Sequence, residues 1–129
     1  MKAQIVVAAL VWMLASGCAL AEVTDGNQLL ENCRLLIKII DQDNISPTAA
    51  DYVKGGRCVG MVEGVRNTMG YLNNLVPKDY KVCFPKSGIQ NNQAVRIVEK
   101  YLRDHPEQLN DDQTLLTMLA FKVAYPCKK

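Results

Sequence analysis

This chain of 129 residues contains a single histidine, His105, and none of its 5 cysteines forms a C-x-x-C pair. A zinc site draws on closely spaced cysteines and histidines, so cysteines as widely spread as 33, 58, 83 and 127 predict neither a metal nor any other cofactor. Charge of one sign is not in surplus either: 15 Lys and Arg face 13 Asp and Glu. So balanced a chain lacks the field that holds nucleic acid or another acidic polymer. Beyond the N-terminus no apolar run reaches the roughly 20 residues a membrane span needs. Internal repeats, low-complexity tracts and long linkers are also missing. The glycines lie inside a helical pattern rather than between a strand and a helix, which excludes a phosphate-cradling loop.

Groups suited to catalysis are equally scarce. His105 precedes Pro106, where a helix must end, and a polar residue there meets the last carbonyls. Cys83 with His105 would imitate a thiol-protease pair, but an oxidised Cys83 has no thiolate to attack with. Asp111-Asp112 suits the positive end of a helix dipole. No catalytic residue is expected, and the protein is expected to work by contact rather than as an enzyme.

The N-terminus has the layout of an export signal: Lys2, an uncharged apolar run from Ile5 to Leu14, then Ala19-Leu20-Ala21 as an A-x-A cleavage site. Residues 1–21 are therefore expected to be a signal peptide and 22–129 a single helical domain. In the alternative reading Ala15-Ser16-Gly17-Cys18 is a lipoprotein signal, and an acylated Cys18 tethers the domain to a membrane. Cleavage after Ala21 discards Cys18 and leaves Cys33, Cys58, Cys83 and Cys127, an even set. In the oxidising space outside the inner membrane, two disulfides are the default.

Apolar spacing predicts an all-α fold, a small bundle of about four helices. The first runs roughly from Gly26 to Asp41, with Asp25 and Gln28 placed to cap it and Leu29, Cys33, Leu36 and Ile40 in its apolar stripe. Asp43-Asn44 turns the chain, and Ser46-Pro47 supplies an N-cap and first-turn proline for a long helix reaching Leu75. Gly56, Gly60 and Gly64 stack along one face of that helix, at about 1 kcal/mol of helix propensity each. Close packing against another helix is the expected use of this strip, and a ligand groove the sharper alternative. A loop from Lys78 to Ser87 follows. The third helix spans about Ile89 to Asp104. The fourth opens near Asn110, with Gln113 at its third position and Leu115, Leu116, Leu119 and Val123 turned inward.

Helix geometry favours one cysteine pairing of the three available. At about 1.5 Å rise per residue, Cys33 and Cys58 sit within roughly 12 to 18 Å of the turn between the first two helices. Cys83 precedes the third helix and Cys127 follows the fourth, so an antiparallel hairpin brings them to one end. Cys33–Cys58 and Cys83–Cys127 are the expected bonds.

Four segments also resemble the Tai/Rap family of type VI secretion amidase immunity proteins: "GNQLLENC" (Gly26 to Cys33), "RCVGMVEGV" (Arg57 to Val65), "VCFP" (Val82 to Pro85), and "VEKYLRDHPEQL" with the terminal "AFKVAYPC". They stand in the family's order with the cysteines in register. Met61 departs from the tyrosine that the family often has directly after the glycine at the position of Gly60. The resemblance implies a periplasmic protein that often forms a homodimer. It also implies steric occlusion of the active-site cleft of a cognate cysteine amidase, a peptidoglycan-cleaving effector. The alternative with the same fold is a general periplasmic binding or stress-response module without a cognate toxin. Family contact residues do not transfer position by position. Lys78, Asp79, Tyr80, Lys81 and Lys86 are instead the candidate partner-binding residues, as a charged loop with an aromatic anchor on a rigid scaffold.

Overall fold

Asp25 opens the first helix: its carboxylate accepts a hydrogen bond from the Gln28 N–H at 3.0 Å. The computed structural model describes residues 24–128, so the expected signal peptide, its cleavage site and Cys18 lie outside the described residues. Four helices follow one another, α1 (Gly26–Ile40), α2 (Ala49–Leu72), α3 (Asn91–Asp104) and α4 (Gln113–Ala124), with 3-10 turns at Lys78–Tyr80 and Pro106–Gln108. Among the described residues there is no strand. A single antiparallel bridge joins Asp25 to Asp112.

Two helix starts differ from the sequence expectation, each because a better-satisfied cap lies nearby. Thr48, not Ser46, caps α2: Thr48 Oγ1 accepts from the Asp51 N–H, and Asp51 Oδ2 accepts from the Thr48 N–H at 2.8 Å. Ser46 has Ala49 at the corresponding third position, which cannot reach back. In the last helix Asp112, not Asn110, is the cap, accepting from the Thr114 and Leu115 N–H groups at 2.8 and 3.1 Å. Asn110 instead accepts from the Asn27 side chain, while the Leu109 and Asp111 carbonyls accept from the Asn27 and Gly26 N–H groups. The chain ahead of α4 is thus consumed in completing the start of α1.

One helix end and a third helix start also shift. Helix α2 stops at Leu72 rather than Leu75, because the Asn73 side chain turns to the backbone of Val82. Helix α3 begins at Asn91 rather than Ile89, whose carbonyl accepts from Arg66 Nη1 at 2.8 Å.

The core lies where all four helices meet. Leu29, Val62, Val95, Val98, Leu102, Leu116 and Phe121 are almost wholly buried. Each such side chain contributes about 1.5–3 kcal/mol relative to exposure. Phe84 of the loop after α2 and Tyr125 after α4 extend the core, Phe84 lying 5.5 Å from both the Phe121 and Tyr125 ring centroids. Buried Glu99 receives Arg34 of α1 at 3.3 Å and Arg103 of its own helix at 2.7 Å, so α1 and α3 share a carboxylate.

Both disulfides form as the helix geometry requires, Cys33–Cys58 with Cα atoms 5.1 Å apart and Cys83–Cys127 with Cα atoms 5.0 Å apart. The first is fully buried between α1 and α2. The second ties the loop after α2 to the tail after α4, beside a hydrogen bond from the Cys83 N–H to the Tyr125 carbonyl at 2.9 Å.

The glycine strip corrects one expectation. A methyl placed on Gly56, Gly60 or Gly64 meets nothing within 4 Å, so no part of the described chain packs against that face. The close approach occurs one position away: a methyl on buried Gly55 would stand 3.2 Å from Leu36 Cδ1. The reason is rotational, since α2 turns Gly55, Cys58, Val62, Val65 and Met69 inward and carries the strip about one residue out of contact.

Candidate functional site

The loop joining α2 to α3 is held at three points. Asn73 makes a two-pronged contact with Val82, accepting from its N–H at 3.0 Å and donating to its carbonyl. Cys83 is bonded to Cys127, and Arg66 holds Ile89. Between Asn73 and Val82 the chain bulges outward as the 3-10 turn Lys78–Tyr80. A backbone fixed at both ends of a turn presents its side chains with little ordering cost on binding.

Four of the five candidate loop residues gather with a sixth side chain that sequence reasoning missed, Lys122 of α4. Lys78, Asp79 and Lys81 line a shallow dent together with Lys122, Pro126 and Cys127. Tyr80 points the other way, 67% exposed, with the Lys122 ammonium 5.5 Å from its ring centroid. Lys86 lines neither face and stands apart.

Tyr80 and Lys122 also close one end of an apolar groove between α2 and α4, walled by Leu72, Leu115 and Met118 and floored by Met69 and Leu119, with a volume of about 440 Å³. It continues along α2 past Val65 and Met61 to Gly60 and Gly64, so two of the three strip glycines edge it. Leu115 and Val123, expected inward, are 48% and 66% exposed, while Leu116, Ala120 and Phe121 fill the core. Helix α4 is apolar on more than one side, so its spacing did not reveal which side the other helices cover. A two-sided apolar helix next to a lysine was the available signal for the groove.

The electrostatics of this end are one-sided. No carboxylate lies within 4.0 Å of Lys78, Lys81, Lys86 or Lys122 among the described residues. Elsewhere Arg34, Lys54, Arg66, Arg96, Lys100 and Arg103 each have one.

Among the described residues, the groups that the sequence offered for chemistry are held in structural contacts. His105 Nδ1 lies 2.8 Å from the Tyr101 carbonyl and its ring stacks on Tyr101 at 4.2 Å, a helix-end role. Cys83 is oxidised. Among the described residues no group of three or more His, Cys, Asp or Glu could hold a metal, and no helix is long and apolar enough to cross a membrane.

No curated protein and no solved structure is significantly similar to the chain. A family model described as Rap1a immunity proteins does match, over residues 25–127, which takes in all four helices and both disulfides. With four-fifths of its length covered by that match, the chain belongs to the family of Rap1a immunity proteins.

Proposed function

We propose that this protein is a periplasmic immunity protein that binds a peptidoglycan amidase effector of type VI secretion and occludes its active site. The observation that carries this reading is the family match across the whole disulfide-bonded bundle. Two structural disulfides suit an exported protein in an oxidising compartment. Inhibition would be steric, with specificity set by complementary surface groups, and no chemistry is asked of the inhibitor. The pinned turn carrying Lys78, Asp79, Tyr80 and Lys81, with Lys86 beyond it, is the proposed contact loop, because it pairs an exposed aromatic anchor with lysines that have no carboxylate within 4.0 Å among the described residues.

The test is co-expression with the amidase effectors of the same secretion system, each exported to the periplasm. Survival of cells that otherwise lyse, and a stoichiometric complex that no longer cleaves peptidoglycan, is the expected result. A purified protein that neither binds nor inhibits any of those amidases would reject the reading.

A further inference from the structure

The groove between α2 and α4 and the lysine dent share one wall, Lys122, and Tyr80 at the end of the groove is flanked in the chain by Asp79 and Lys81 of the dent, so they form one continuous surface of two chemistries. Leu72, Leu115 and Met118, 43%, 48% and 42% exposed, supply the apolar part. Lys78, Lys81 and Lys122, none with a carboxylate within 4.0 Å among the described residues, supply the charged part. Asp79 is the single acid among the residues lining either region.

A concave apolar trough ending in a cluster of lysines is complementary to an amphipathic segment with an apolar ridge and carboxylates at one end. It is less complementary to a second copy of this chain. A two-fold pairing through the patch would set the same lysines against a surface whose lining offers only Asp79. A flat membrane surface would leave the trough unfilled.

We infer that this composite surface is where the effector docks, its groove taking an apolar ridge of the amidase and Lys78, Lys81 and Lys122 receiving neighbouring carboxylates. The inference rests on the immunity reading and adds the chemistry of the partner's epitope. Apolar burial in the trough supplies affinity, and the lysines set orientation and speed encounter, an effect that salt screens.

The test uses the purified protein and two labelled synthetic helices that share a leucine ridge. One ends in glutamates and the other in lysines, and binding is followed by fluorescence anisotropy. The acidic helix is expected to bind at least tenfold more tightly than the basic one, with the preference shrinking as salt rises. Lys122→Glu should remove that preference, and Leu115→Asn should weaken both helices about tenfold. Both side chains are exposed, so unchanged thermal melting confirms that the variants fold.

Equal binding of the two helices, or none, would overturn the inference. So would co-sedimentation with anionic vesicles that either variant abolishes, or a concentration-dependent dimer broken by Leu115→Asn. The protection assay with the same variants separates the two levels. If wild-type protein protects and both variants protect equally well, the docking surface is wrong and the immunity reading stands. If wild-type protein does not protect, the immunity reading fails whatever the helices do.

Discussion

The Lys122 ammonium lies 5.5 Å from the centroid of the Tyr80 ring, so the turn after α2 meets the last helix through a cation and an aromatic face. An exposed contact of this kind is worth about 0.5–1 kcal/mol. Tyr80→Ala should therefore cost less than about 1 kcal/mol of stability, yet weaken effector binding by about 2 kcal/mol if the ring is a buried anchor in the complex. Urea denaturation beside titration calorimetry separates the two, and a loss confined to stability would make Tyr80 scaffold alone.

The Asn73 side chain does for the loop what a strand partner would do, bonding both the N–H and the carbonyl of fully buried Val82. Asn73→Ala leaves both groups without partners and should destabilise by about 1–3 kcal/mol. Hydrogen exchange at the Val82 amide is the direct readout, and unchanged protection there would contradict this account.

The two disulfides should not be equally reducible. Exchange requires a thiolate to reach sulfur, and Cys33 and Cys58 are inaccessible whereas Cys83 is exposed. Mild reduction with alkylation, followed by peptide mass mapping, should label Cys83 and Cys127 first. The sequence separations they span are 25 and 44 residues, so losing either should cost about 3–4 kcal/mol in the chain-entropy account.

Glycines in this chain should respond to alanine with opposite signs. Gly60→Ala adds a methyl in open space on a helix and should stabilise by up to about 1 kcal/mol. At Gly26→Ala the methyl would collide with Leu116 Cδ1 and stand 3.0 Å from the Leu109 carbonyl oxygen, so the buried Leu116 side chain and the Leu109 backbone must give way. A loss of about 1–3 kcal/mol is expected there. Thermal melts of the two variants in one buffer decide both.

Acid should unfold the protein partly through its helix caps and ion pairs. The Gln28 N–H holds the Asp25 carboxyl below its ordinary value of 3.8, the Thr48 N–H does the same for Asp51, and Lys100 does so for Asp104. A depressed carboxyl stabilises fully above its unfolded pKa, and that stability is lost as pH falls through the folded one. Urea midpoints should hold from neutral pH down to about pH 5 and fall below about pH 4. Asp25→Asn, which can still cap without titrating, should flatten part of that fall; an unchanged acid limb would remove Asp25 from the explanation.

The sequence by itself determined where four helices would lie and which cysteines would join. Apolar residues such as Leu29, Cys33, Val95 and Val98 recur at helical spacing, and helix rise brings each cysteine pair to one end of a hairpin. It also showed the caps whose partners lie a few residues away, as with Asp25 and Gln28. These are short-range relations, fixed by backbone hydrogen bonds and side-chain period. The tertiary structure alone decided the rest. Whether Thr48 or Ser46 caps α2 was readable from Asp51, but Asn110 was withdrawn from α4 by Asn27, which is 83 residues away in sequence. The glycine strip stayed open because the rotation of α2 committed Gly55 to Leu36. Leu115 and Val123 stayed outside because no described part of the chain covers the second apolar side of α4. That Lys122 joins the loop candidates, and that these lysines have no carboxylate within 4.0 Å among the described residues, depends on distances between α4 and the turn after α2. Periodicity carries no information about such distances, because they are set by how the helices pack.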